Sequence, residues 1–78
     1  MKNHHPTYNA AHMLDVVLEH GNLKNDAALA RALNVAPPVI SKVRNGVLPL
    51  GSSMLVKLHE YTGMNTLKIK ALAGIAAQ

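Results

Sequence analysis

Apolar residues recur at helical spacing in separate stretches of the chain, divided by polar caps and turn residues. Ala10, Met13, Leu14, Val17 and Leu18 fall three and four apart with Asp15 and Glu19 between them. That period predicts a first helix burying one face, with Gly21 as its expected stop. Asn25 and Asp26 have side chains that accept the open amide protons of a first turn, and Leu29, Ala30 and Leu33 follow on one inward face. Asn34 sits where this second pattern breaks; Asn tolerates positive φ and can reverse the chain there.

Pro37 and Pro38 read as the start of a third helix, because proline fits a first turn whose N–H groups have no intrahelical acceptor. Ile40 and Val43 are spaced to bury, Pro38, Ser41, Lys42 and Asn45 fall on the exposed side, and Gly46 marks the end. After the connection from Val47 to Gly51, Ser52 or Ser53 is expected to cap a fourth helix with Met54, Leu55 and Leu58 inward and Gly63 closing it. Asn65 or Thr66 opens a fifth carrying Leu67, Ile69 and Leu72. With no strand pattern and no repeat, the expected fold is all-α, a compact orthogonal bundle of about five short helices. Residues 1–8, with His4, His5 and Pro6, have no periodic pattern and are expected to form a flexible arm ahead of one domain over 9–78.

Composition adds three constraints. The chain has 78 residues, 49% of them hydrophobic, so it can bury one core, and with no Trp or Phe that core must be aliphatic. The absence of Cys leaves no disulfide or thiolate metal site and fits the cytoplasm, while no apolar run approaches the ~18 residues of a membrane span and the start from Met1 to Asn9 has no secretory-signal stretch. The formal net charge of +4 favours a polyanionic partner. Lys24, Arg31, Lys42 and Arg44 face only Asp26 between residues 24 and 46, so the positive charge gathers in the middle of the chain.

The stretch Asp26-Ala27-Ala28-Leu29-Ala30-Arg31-Ala32-Leu33-Asn34-Val35-Ala36-Pro37-Pro38-Val39-Ile40-Ser41-Lys42-Val43-Arg44-Asn45-Gly46 resembles the Cro/repressor-type helix-turn-helix family. It has a small residue at the helix crossing (Ala30), a turn residue four positions later (Asn34) and apolar anchors at Leu29, Leu33, Val35, Ile40 and Val43. The resemblance spans roughly residues 10–74 and implies a sequence-specific regulator, a repressor of the phage or prophage kind, that reads double-stranded DNA with the helix 37–45. Two features depart from the family: Asn34 stands where Gly is common, and Ala36, Pro37 and Pro38 stand where Ser, Gln or Thr often meets base edges.

On this resemblance the base-facing candidates are Pro37, Pro38, Ser41, Lys42 and Asn45. Lys42 can bond guanine O6 or N7, Ser41 a base or a phosphate, Asn45 an adenine, and the prolines can pack on thymine methyls. The phosphate candidates are Arg44 at the edge of that face, Lys24 and Asn25 at the start of the second helix, and Ser52 at the start of the fourth. The rival for Asn25 and Ser52 is an ordinary helix cap, and for the whole motif a helical bundle whose apolar spacing is merely core spacing.

No other chemistry is legible. His12 and His20 are eight apart without a His-Glu-x-x-His pattern, so no metal site is expected; there is no cysteine and no Gly-rich phosphate loop, so neither a cofactor nor an enzymatic activity nor a small-molecule substrate is expected. Asp15, Glu19, Asp26 and Glu60 are scattered along the chain without an evident partner. The apolar stretch from Leu67 to Gln78 suggests a homodimer on a palindromic site, the rival being that it caps the monomer's core. Two further readings remain open: a protein-interaction module using Ala36-Pro37-Pro38-Val39, and a nonspecific nucleoid-type DNA binder.

Overall fold

Backbone groups left open at helix ends decide where the helices of so short a chain start and stop. A computed structural model of the chain describes residues 9–75. It contains α1 (Ala10–His20), α2 (Asp26–Leu33), α3 (Pro37–Arg44), α4 (Ser52–Thr62) and α5 (Thr66–Leu72), with no strand among the described residues. The all-α class expected from the spacing is the one observed. The arm expected over residues 1–8, and residues 76–78 of the C-terminal stretch, lie outside the described residues.

Three helices start on an Asn side chain. Asn9 Oδ1 accepts from the N–H of His12 at 3.0 Å, Asn25 Oδ1 from Ala28 at 2.9 Å and Asn65 Oδ1 from Lys68 at 2.8 Å. Each such cap stabilises by about 1 kcal/mol. At α4 the expected serine cap is replaced: Gly51 holds the N-cap position with extended backbone, and Ser52 and Ser53 are already helical. At α3 Ala36 makes no side-chain cap, and Pro37 and Pro38 fill the first two helical positions, where two of the N–H groups a cap would satisfy do not exist.

Helix ends rely on left-handed residues. Asn34 adopts φ 59° and ψ 48°. Its N–H reaches the Arg31 carbonyl at 3.2 Å and that of Val35 the Ala30 carbonyl at 2.9 Å, closing α2 and turning the chain into α3 within three residues. Gly46, at φ 77°, ends α3 in the same way, with the Val47 N–H on the Lys42 carbonyl at 2.8 Å. α1 stops at Gly21 as expected, but Gly21 has an ordinary φ of −88°, and the left-handed residue is Asn22 at φ 54°. Gly21 serves instead as a contact surface, since a Cβ there would lie 2.6 Å from Tyr61 Oη.

One aliphatic core holds these elements together. Met13, Leu14 and Val17 of α1 meet Leu29, Ala30 and Leu33 of α2, Ile40 and Val43 of α3, Met54, Leu55 and Leu58 of α4, and Ile69 with Ala73 at α5. Among the described residues no polar or charged side chain is buried in it. Burying a large aliphatic side chain contributes about 1.5–3 kcal/mol, which outweighs the few tenths of a kcal/mol per residue by which helix propensities differ.

The inward assignment holds at every expected core position of α2, α3 and α4, while on α5 Leu67 is 64% exposed. Residues two apart cannot share a helix face, so burying Ile69 together with Leu72 and Ala73 turns Leu67 outward. The Asn9 N–H donates to the Ala73 carbonyl at 2.8 Å, tying the end of α5 to the start of α1. Much of the C-terminal apolar stretch is thereby used by the chain's own core, with Leu72 and Ile75 packed against it. Two histidines have structural roles: His20 Nε2 donates to the Thr62 carbonyl at 3.0 Å and His59 Nδ1 to that of Met64 at 2.8 Å, bracing the α4–α5 connection.

The turn after α2 gives a direct check. Asn34→Gly should leave stability within about 0.5 kcal/mol, while Asn34→Ala should lower it by about 1 kcal/mol in urea unfolding. Equal stability of the two variants would contradict the left-handed turn.

Candidate nucleic-acid interface

The third helix has two chemically opposite faces. Ile40 and Val43 are sealed in the core, and Pro38, Ser41, Lys42 and Asn45, spaced three and four apart, are all exposed on the other side with Pro37 beside them. The base-facing candidates therefore share one accessible surface. Its first turn, Pro37 and Pro38, is apolar, and its later turns carry a hydroxyl, an ammonium and an amide. This arrangement can offer hydrogen-bond donors to an acceptor-rich surface such as a DNA groove.

Arg44 corrects the expectation of a phosphate contact at the edge of this face. Its Nε and Nη2 donate to Asp26 Oδ2 and Oδ1, both at 2.8 Å, and Nη1 donates to Asp15 Oδ1 at 2.8 Å, with a longer 3.5 Å contact to the Ala11 carbonyl. One guanidinium thus joins the last turn of α3 to the first turn of α2 and the middle of α1. Its side chain is 24% exposed and its donors are committed to carboxylates. The fork-to-fork geometry with Asp26 is the strong form of the Arg–carboxylate pair.

The hydrogen bonds from Arg44 to Asp26 raise the guanidinium pKa, overriding the opposing effect of burial, and Asp15 adds to the rise. A cation with a raised folded-state pKa contributes stability that is fully present below its unfolded value and is lost only as pH climbs through the raised one. The guanidinium side of the clamp is consequently intact at all ordinary pH. Helix dipoles act in the same direction, with Asp26 in the first turn of α2 and Arg44 in the last of α3.

The clamp also redistributes charge. Asp15 and Asp26, expected to have no partner, are two of the chain's four acidic residues and both are spent on Arg44. Seven Lys and Arg residues are left against Glu19 and Glu60 alone. Sequence reasoning missed this cluster because 18 and 29 residues separate the partners. The one available signal was that Asp26 and Arg44 each lie at the helix end that favours their charge.

Among the remaining phosphate candidates, Lys24 is exposed just before α2, and Asn25 is engaged as that helix's cap. Ser52 is exposed in the first turn of α4. Arg31, which carried no assigned role, is exposed on α2 opposite its buried residues. Beside α3 runs an apolar cleft of about 270 Å³ lined by residues including Val35, Val39, Leu48 and Met54, with Lys57 at its edge. Val47, 69% exposed, follows the end of α3.

Comparison with family models, with curated proteins and with solved structures finds no match to the chain.

Exposed ion pairs contribute about 0–1 kcal/mol and fully buried ones cost about 3–5 kcal/mol to break, so this half-buried, bidentate clamp lies between. Arg44→Met should lose about 2 kcal/mol in urea unfolding and Arg44→Lys about half of that, with the same penalty at pH 6 and pH 9. A loss below about 0.5 kcal/mol for Arg44→Met would show that the clamp does not hold α3.

Proposed function

We propose that the chain is a sequence-specific DNA-binding protein of the helix-turn-helix type, with α2 and α3 as its two helices and the outward face of α3 lying in the major groove. The observation that carries this reading is the surface formed by Pro38, Ser41, Lys42 and Asn45, exposed together opposite Ile40 and Val43. A helix is the element that fits the major groove, and it must be rigidly aimed to discriminate bases. The aim is supplied at both ends of α3, by the left-handed turn at Asn34 and by the Arg44 clamp.

Each side chain has a defined role in this reading. Lys42 donates to guanine O6 or N7, Asn45 pairs with an adenine edge, and Ser41 serves a base or a phosphate. Lys24, Arg31 and Ser52 hold phosphates, with Asn25 orienting the first turn of α2. The protein would act as a regulator by occupying its site, and a symmetric pair of copies would read a palindrome, with Leu67 the large apolar residue of α5 free for such a contact.

A second reading is favoured by the cleft beside α3: docking of a protein on the apolar surface around Val35, Val39 and Leu48, next to Pro37 and Pro38. Salt separates the two. Binding driven by phosphates weakens steeply with salt, and apolar docking changes little.

Selection from a randomised duplex pool, followed by anisotropy titration, should recover an enriched sequence. Lys42→Ala should weaken binding to it by about 1–3 kcal/mol and relax the preference at one base pair. If no sequence is enriched and no duplex is bound at moderate salt, the DNA-binding reading is wrong. In sedimentation, Leu67→Glu should lower any dimer fraction; a fraction that stays unchanged removes α5 as the contact.

A further inference from the structure

We infer that the first turn of α3 reads the 5-methyl group of a thymine, so that the sites this chain prefers carry thymine beneath Pro37 and Pro38. The inference rests on the DNA-binding reading above and concerns what that face can recognise.

A helix of ordinary composition ends at its N-terminus in open N–H groups and a capping side chain, all of them hydrogen-bonding. This one does not. Ala36 provides no side-chain cap, Pro37 and Pro38 have no N–H, and the N–H of Val39 is engaged by the Ala36 carbonyl at 2.9 Å. Residues 37–39 thus offer no open N–H, and both proline rings face outward. The turn that leads α3 toward any surface it meets is an apolar plate. Polar side chains begin only one turn later, at Ser41 and Lys42.

The major-groove edges of the bases respond differently to such a plate. Guanine N7 and O6, adenine N7 and cytosine N4 are polar groups that lose their water under a proline ring and gain no partner, a net loss. Thymine is the one base that presents a methyl carbon there. Covering that methyl removes apolar surface from water on both partners, a gain of about four-fold in affinity per methyl. Lys42 on the same face, together with the uncompensated positive charge outside the Arg44 clamp, makes DNA rather than an apolar peptide the occupant that the surface complements.

Replacing thymine by uracil removes only the methyl and leaves base pairing and O4 intact, so it isolates this contact. In the duplex recovered by selection, each thymine is replaced singly by uracil and binding of the wild-type protein is measured by anisotropy. One or two positions should weaken by about four-fold, and 5-methylcytosine placed there should bind more tightly than cytosine. The Pro37→Ser/Pro38→Ser double variant, checked for helicity by circular dichroism, should bind the thymine and uracil duplexes equally, while Lys42→Ala still distinguishes them. If wild-type protein binds every uracil duplex as tightly as the parent, the inference is overturned and the DNA-binding reading stands. If no duplex is bound at all, both fall.

Discussion

Arg44 is the side chain on which the placement of α3 depends. Three helices converge on one guanidinium, which donates to Asp26 of α2 and to Asp15 of α1 from the last turn of α3. Aliphatic packing through Ile40 and Val43 holds α3 against the core but is non-directional. A bidentate pair fixes angle as well as distance. At the opposite end, the left-handed Asn34 and the bond from the Val35 N–H to the Ala30 carbonyl determine where α3 begins. The helix is therefore located at both ends by hydrogen bonds and along its inner face by packing, which leaves its outer face exposed and oriented.

That division of labour explains the charge pattern. A protein with a modest excess of Lys and Arg keeps a strong local field only if its carboxylates are withdrawn from the working surface. Here half of the carboxylates are consumed in the clamp, where they stabilise the fold and neutralise a residue already facing inward. Lys24, Arg31 and Lys42 stay exposed. The outer face of α3 is correspondingly sparse: two prolines, a serine, a lysine and an asparagine.

Much of this was legible in the sequence. Apolar periodicity located all the helices because each buries a single stripe, and Asn25, Asn65, Asn34, Gly46 and Gly63 marked ends through backbone chemistry that is local. The misplaced cap has a local cause too. Gly51 displaced the serines because an extended glycine serves almost as well. What could not be read was tertiary. The Asp15–Asp26–Arg44 cluster and the packing of Tyr61 over Gly21 join residues far apart in the chain, and no local period announces them.

The most direct test of the account is amide chemical-shift mapping during titration of the full chain with a duplex recovered by selection. The account predicts the largest changes at Ser41, Lys42 and Asn45, smaller ones around Lys24 and Ser52, and little change at Leu48 and Met54 in the cleft. Changes concentrated on the cleft, with the outer face of α3 silent, would contradict it.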